Sequence, residues 1–298
     1  MNRKKQERRF VFMSLAPAVV LMGIFMLYPT INIFVMSLFK WGGLSANKKF
    51  VGFNNFKILL QDKNFINSFQ NTLFLIVVVT IFTFAFAIFF ANVLVRDNVK
   101  GKNFFRVIFY IPNILSVAVI SAVFAQIYAV DAGGLLNSII RVFKPDTWKN
   151  IQFLGDSNII LYSIAGAMIW QAIGYYMVMY MASISSISEH LYEAADIEGA
   201  SKMHQFFQIT LPLIWENIRT TLTFFVISSI NMAFLFVKVL TGGGPAGSSE
   251  VFLSYLYKQA YDNASYGYGM AIGVIVFIFS FIMSGILNKI TERDTIQM

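Results

Sequence analysis

The chain has 298 residues, of which 57% are apolar and only 13% charged, with a formal net charge of +8. Soluble domains average about 25% charged residues, so this composition excludes a water-solvated globular domain and, with 32 phenylalanines, a disordered one. The lack of cysteine excludes a disulfide scaffold, thiol redox chemistry and Cys-ligated zinc.

A helix that crosses a bilayer needs about 20 mostly apolar residues, because a rise of about 1.5 Å per residue then covers about 30 Å of hydrocarbon. Six stretches without Asp, Glu, Lys or Arg meet that length: 10–39, 72–95, 107–130, 158–188, 220–237 and 268–288. The first follows Arg3, Lys4, Lys5, Arg8 and Arg9, a flank shared with signal peptides. It nevertheless runs on through Leu27-Tyr28-Pro29 with no cleavage site and is read as a retained helix. In the third stretch Pro112 and Asn113 mark a kink. Lys238, at the outer end of the fifth, is read as snorkelling to the interface, and Gly242 to Gly244 as the turn that follows.

Basic residues orient such a chain, since inner loops carry more Lys and Arg. With the N-terminus inside, the inner segments hold thirteen of the 23 basic residues. The prediction is an all-α membrane protein of six transmembrane helices, one domain over 1–298, both termini cytoplasmic. Segments 96–106 and 189–219 then lie inside. This bias accounts for the positive charge, so nucleic acid is not required as a partner.

Ion-coupled transporters keep ionisable side chains within their spans, and none is present here apart from Lys238 at an edge. A phosphate-cradling G-x-x-x-x-G-K-[ST] loop is absent: Gly101-Lys102 is followed by Asn103. His190 and His204 stand alone, and no span carries paired carboxylates. No catalytic or metal-binding residue is therefore expected, no cofactor is expected on this chain, and energy must arrive through a partner.

The most charge-dense inner segment reads EAADIEGASKMHQFFQITLP over residues 193–212. Glu193 to Ile197 is predicted as a short helix, Gly199 as a position that permits φ > 0, and the rest as a second helical run ending near Pro212. Ala194, Ala195 and Ala200 keep the surface low, and Met203, Phe206 and Phe207 are apolar anchors at helical spacing. Glu193 either pairs with a partner's arginine or favours its own helix N-terminus. The alternative is an amphipathic helix lying on the membrane, although basic residues are scarce for that role.

This run resembles the EAA loop of permease subunits in ATP-binding-cassette importers, with Gly199, Leu211 and Pro212 in register and Glu198 where the family often has Asp. LTGGGP at 240–245, RVIFYIP at 106–112 and GGLLN at 133–137 are similar to the sugar-importer branch, near the oligosaccharide and glycerol-phosphate permeases. The resemblance implies a type I importer fold in a bacterial cytoplasmic membrane. It implies as partners a second homologous permease, a cytoplasmic ATPase dimer that binds ATP and Mg, an external solute-binding protein and membrane lipid. It also implies that Glu193, Ala194, Ala195, Gly199, Ala200, Phe206 and Pro212 form a coupling helix seated in the ATPase.

A sugar pathway needs hydrogen-bonding groups and aromatic faces near mid-membrane. The fourth span offers Gln171, Tyr175 and Tyr176, the first two sharing a face, and the fifth offers Ser228, Ser229 and Asn231. Alignment to the family places Gln171, Ala172 and Tyr175 at contact positions, whereas the fifth span slips by one residue. Interhelical hydrogen bonding is the competing use for each polar residue. Spans without arginine favour a neutral oligosaccharide over glycerol phosphate, while a uronate-containing sugar stays open because charge selection can reside in the binding protein or the second permease; a self-sufficient secondary transporter and a scaffold that recruits an ATPase are the rivals from other classes.

Overall fold

The computed structural model describes residues 3–43, 47–97, 99–131, 133–144 and 149–293. Among these, structure is mostly helical, with one two-residue antiparallel pair, β1 (Phe39–Lys40) and β2 (Lys49–Phe50), in which Phe39 faces Phe50. The residues fall into two compact units, Met1–Lys63 with Tyr255–Phe279, and Asn64–Ser254 with Ser280–Met298.

In the first unit, α1 (Arg3–Met22) passes through a π turn at Gly23–Leu27 into α2 (Tyr28–Met36). Pro29 has no N–H to return to the preceding turn, and the wider turn lies just before it. Most of the apolar surface of α1 and α2 stays uncovered within the chain, though Phe34 meets Phe277 edge-on at 5.5 Å. After β2, the short α3 (Asn54–Gln61) is tied back by Asn55, whose amide donates to the carbonyls of Ser37 and Phe39 at 2.7 and 3.1 Å. The Asp62 carboxylate accepts from the hydroxyls of Tyr255 and Tyr268 at 2.5 and 2.6 Å.

The second unit is built on α4 (Lys63–Arg96), α5 (Lys102–Ile114), α6 (Val117–Ile127), α7 (Leu135–Val142) and α8 (Ile160–Ser185). It continues through α9 (Glu189–Ile197), α10 (Lys202–Gln205), α11 (Leu211–Leu213) and α12 (Trp215–Phe236). Two further helices, α13 (Phe252–Tyr257) and α14 (Tyr266–Thr291), complete the order. The core of this unit gathers Leu75, Val79 and Ala87 of α4, Ile164, Met177 and Tyr180 of α8, and Phe236 of α12, each almost wholly buried. Gly174 lets α8 lie directly on α5: a Cβ there would overlap the Phe109 carbonyl. Deep in the same core the Tyr180 hydroxyl meets Thr221 Oγ1 at 2.7 Å, which satisfies two polar groups that lipid or apolar packing would strand.

Among the described residues five helices are long and apolar enough to cross a membrane: Glu7–Met36, Lys63–Arg96, Ile160–Ser185, Trp215–Thr241 and Tyr266–Thr291. The stretch at 107–130, expected as one span, is instead α5 and α6, bent by 103° and making a sixth span only if taken together. The break has a local cause. Leu115 leaves the helix in an extended conformation, and Ser116 caps the next one, its Oγ accepting from the Val119 N–H at 3.4 Å. Helix α4 begins nine residues before the expected 72, because hydropathy marks where a helix meets apolar surroundings, not where its hydrogen bonding starts.

Candidate functional site

The charged loop at 189–212 is built from two short helices and a tight turn. Helix α9 starts at Glu189, four residues earlier than predicted, with Glu189 in the first turn where a negative charge is favoured. It ends at Gly199, whose φ of +76° belongs to the left-handed region. There the Ala200 N–H donates to the Ala195 carbonyl at 2.9 Å and the Gly199 N–H to the Asp196 carbonyl at 3.0 Å, the paired bonds of a Schellman cap. Ser201 caps α10 by accepting from the His204 N–H at 3.2 Å. Gln205, itself buried, ties the two arms together: its amide donates to the Asp196 carboxylate at 2.5 Å and to the Ala200 carbonyl at 3.2 Å.

The back of the loop is fastened through Tyr192. Its ring is buried beneath the Arg96 guanidinium, whose carbon lies 3.4 Å from the ring centroid, and its hydroxyl meets Thr210 Oγ1 at 2.9 Å. Between α4 and the loop lies a cavity of about 190 Å³ lined by Asn92, Arg96, Tyr192, Gln205, Phe206 and Thr210. The front is bare. Glu193 is exposed and meets His190 Nδ1 at 3.1 Å, Ala194 is exposed, and Ile197, Met203 and Phe207 are 88%, 67% and 53% exposed. Ala195 and Ala200 are half-buried at the cap, and Pro212 sits inside α11 just before Ile214 breaks the chain direction. Phe206, grouped by the sequence with the outward anchors, is half-buried and lines the cavity, as does the edge residue Met203, whereas Phe207, about 100° further round, does not. Ile197 and, less so, Leu191 are exposed apolar residues of this loop that the sequence reading did not single out as anchors.

A second cavity, of about 210 Å³, opens between α8, α12 and the end of α5. Gln171, Ala172, Tyr175, Ser228 and Ser229 all line it, together with Asn113, Tyr176, Phe225 and Met232. Gln171 is buried and Tyr175 is 40% exposed. The Tyr176 ring lies edge-on to Tyr175 and Phe225, at 5.1 and 5.0 Å between centroids. Both serine hydroxyls donate to the Phe225 carbonyl, at 3.0 Å from Ser228 and 2.7 Å from Ser229, which leaves their oxygens as acceptors. Asn231 does not line this cavity; it is exposed on α12, about 160° around the helix from Ser229 and about 60° from Ser228. Asn113, assigned to a kink, is both: it stands one residue before the end of α5 and lines the cavity. No Asp, Glu, Lys or Arg is among the lining residues.

Residues 84–297 match the family model described as "Binding-protein-dependent transport system inner membrane component". The chain is 33% identical over 284 residues, 94% of each chain, to the "Probable ABC transporter permease protein YurN" of Bacillus subtilis (strain 168). It is 28% identical, over 98% of each chain, to the "Multiple sugar-binding transport system permease protein MsmF" of Streptococcus mutans serotype c (strain UA159). Its fold matches a chain in the crystal structure of a bacterial ABC transporter involved in the import of the acidic polysaccharide alginate, with a TM-score of 0.84, 22% identity and 98% of each chain covered. With the family model spanning most of the sequence and a relative above 30% identity along nearly all of it, the chain belongs to the inner membrane components of binding-protein-dependent transport systems and is a permease subunit of an ABC importer, the ATPase being a separate chain.

Proposed function

We propose that this permease forms one half of a pathway through which a neutral oligosaccharide is imported across a bacterial cytoplasmic membrane. The observation that carries the reading is the α8–α12 cavity, which sets the Gln171 amide, two serine oxygens and the Tyr175 and Tyr176 rings around one space with no charged side chain. Sugars are held by such groups, hydroxyls by amides and hydroxyl oxygens, and the C–H faces of the ring by aromatic planes. A phosphate or carboxylate would instead call for Arg, Lys or a helix N-terminus. At about 210 Å³ the cavity is smaller than the roughly 300–1,000 Å³ of a complete small-molecule site, which fits a wall completed by a second, homologous permease.

In this reading the chain spans the membrane six times with α5 and α6 as one broken span, both termini are cytoplasmic, and the loop 189–212 faces the ATPase dimer. The exposed side of that loop suits insertion into a protein groove with basic walls: Glu189, Glu193 and Glu198, small residues, and Ile197, Met203 and Phe207 outermost. ATP and Mg are bound by the ATPase, an external binding protein delivers the sugar, and ATP-driven closure shifts the population between inward and outward access. The test is uptake by proteoliposomes holding the complete complex with its binding protein. ATP-dependent accumulation of labelled neutral oligosaccharide is expected; accumulation of glycerol phosphate instead, or flux through this chain alone under an ion gradient, overturns the proposal.

A further inference from the structure

Helix α4 grips the loop 189–212 at one end and the glycine-rich loop after α12 near the other. Its last residue, Arg96, stacks on Tyr192 at 3.4 Å. Near its start the Asn71 amide donates to the carbonyls of Ser248 and Glu250 at 2.8 and 2.9 Å, and Thr72 Oγ1 accepts from the Phe252 N–H at 2.9 Å. The 26 residues from Asn71 to Arg96 cover roughly 38 Å of helix axis. No glycine or proline interrupts them, so the segment has none of the usual points of bending.

A second feature sets α4 apart. Five buried side-chain oxygens among the described residues lack a hydrogen-bond partner: three, on Thr80, Thr83 and Asn92, lie on α4, and a fourth, on Ser248, lies in the loop that Asn71 holds. Buried polar atoms are nearly always paired. Four of the five therefore lie on α4 or on the loop that Asn71 holds.

We infer that α4 is a strut that passes displacement of the loop 189–212 to the glycine-rich loop at 242–250, with Arg96 and Asn71 as its two positioning residues. The inference rests on the coupling role proposed above. The planar guanidinium on the Tyr192 face supplies a directional contact that a lysine would not reproduce, and the two-pronged amide of Asn71 fixes the far loop to the same rod. Movement of the rod then brings the oxygens of Thr80, Thr83 and Asn92 to partners.

The experiment uses the full complex of this chain with its partner permease and ATPase pair, all partners made cysteine-free, in lipid nanodiscs. The reporter is the rate at which an impermeant maleimide labels the thiol of the Ala246→Cys variant, at an exposed position in the glycine-rich loop. Adding ATP with vanadate is expected to change that rate about fivefold, and to change it by less than about 1.5-fold once Arg96→Gln or Asn71→Ala is present, while Tyr192→Phe, which keeps the ring, preserves the response. A full response in either variant, or no response in the parent complex, overturns the strut. Because the two variants sit at opposite ends of α4, one that fails to assemble leaves the other to decide. Labelling of the His190→Cys variant separates the two claims: if the ATPase pair does not protect this thiol, the coupling role itself fails, whereas protection with an undiminished Ala246→Cys response in Arg96→Gln removes only the strut.

Discussion

In the loop 189–212, side chains hold one another across short gaps. Gln205 bridges to Asp196, Ser201 caps α10 and Tyr192 is clasped between Arg96 and Thr210, so the polar groups behind are spent and the face in front is left bare. In the α8–α12 cavity the arrangement is reversed: the helices are held by apolar packing and by Gly174 against α5, and the serine donors are turned into their own helix, with acceptors and aromatic faces pointing at the space. In the proposed coupling role, specific bonds give the loop the rigid backing that docking against another protein needs. In the proposed pathway, the cavity offers weak, replaceable contacts, since tight ones would hold a solute in place.

Four substitutions sharpen or break that contrast, in order of expected effect. Gly174→Val forces side-chain atoms into the Phe109 carbonyl and should lower stability by about 3 kcal/mol or more, read as loss of folded permease in detergent size-exclusion profiles. Gly199→Val places a β-branched residue at a φ of +76°, at a cost of about 1–2 kcal/mol confined to the loop. Membrane insertion should survive, whereas ATPase pull-down and transport fall; unchanged transport would show that the Schellman cap does not set the docking face.

Within the cavity, Tyr175→Ala should lower uptake efficiency about tenfold, equivalent to about 1.4 kcal/mol, with ATPase assembly unaffected. Equal loss of assembly and uptake would assign Tyr175 to helix packing instead. Asn231→Ala, outside the cavity and exposed, should keep uptake within about twofold of the parent; a loss as large as that of Tyr175→Ala would mean that the pathway runs along the other face of α12.

Much of this was legible before any coordinates. The glycine at 199 announced a positive φ, because only that residue takes it without strain, and Gln171 with Tyr175 announced a shared helical face by spacing alone. What escaped the sequence were relations across distance or against the average helical period. Phe206 and Phe207 are adjacent and chemically identical, yet the rotation of their helix against α4 decides which one lines the cavity and which stays exposed. Asn113 joined the cavity because a 103° bend brought the end of α5 to α8 and α12.

Composition and hydrophobic run length by themselves determined that this chain has a bilayer for solvent, and Gly199 marked where the charged run at 193–212 turns, because transfer free energies and turn preferences act residue by residue. Only the tertiary structure decided which side of each helix lines a space, that Arg96 rests on Tyr192, and that Asn71 holds Ser248 and Glu250 from 177 and 179 residues away. Those contacts depend on helix rotation and on breaks such as the one at Leu115, which are set by the packing of the whole bundle and by no local preference.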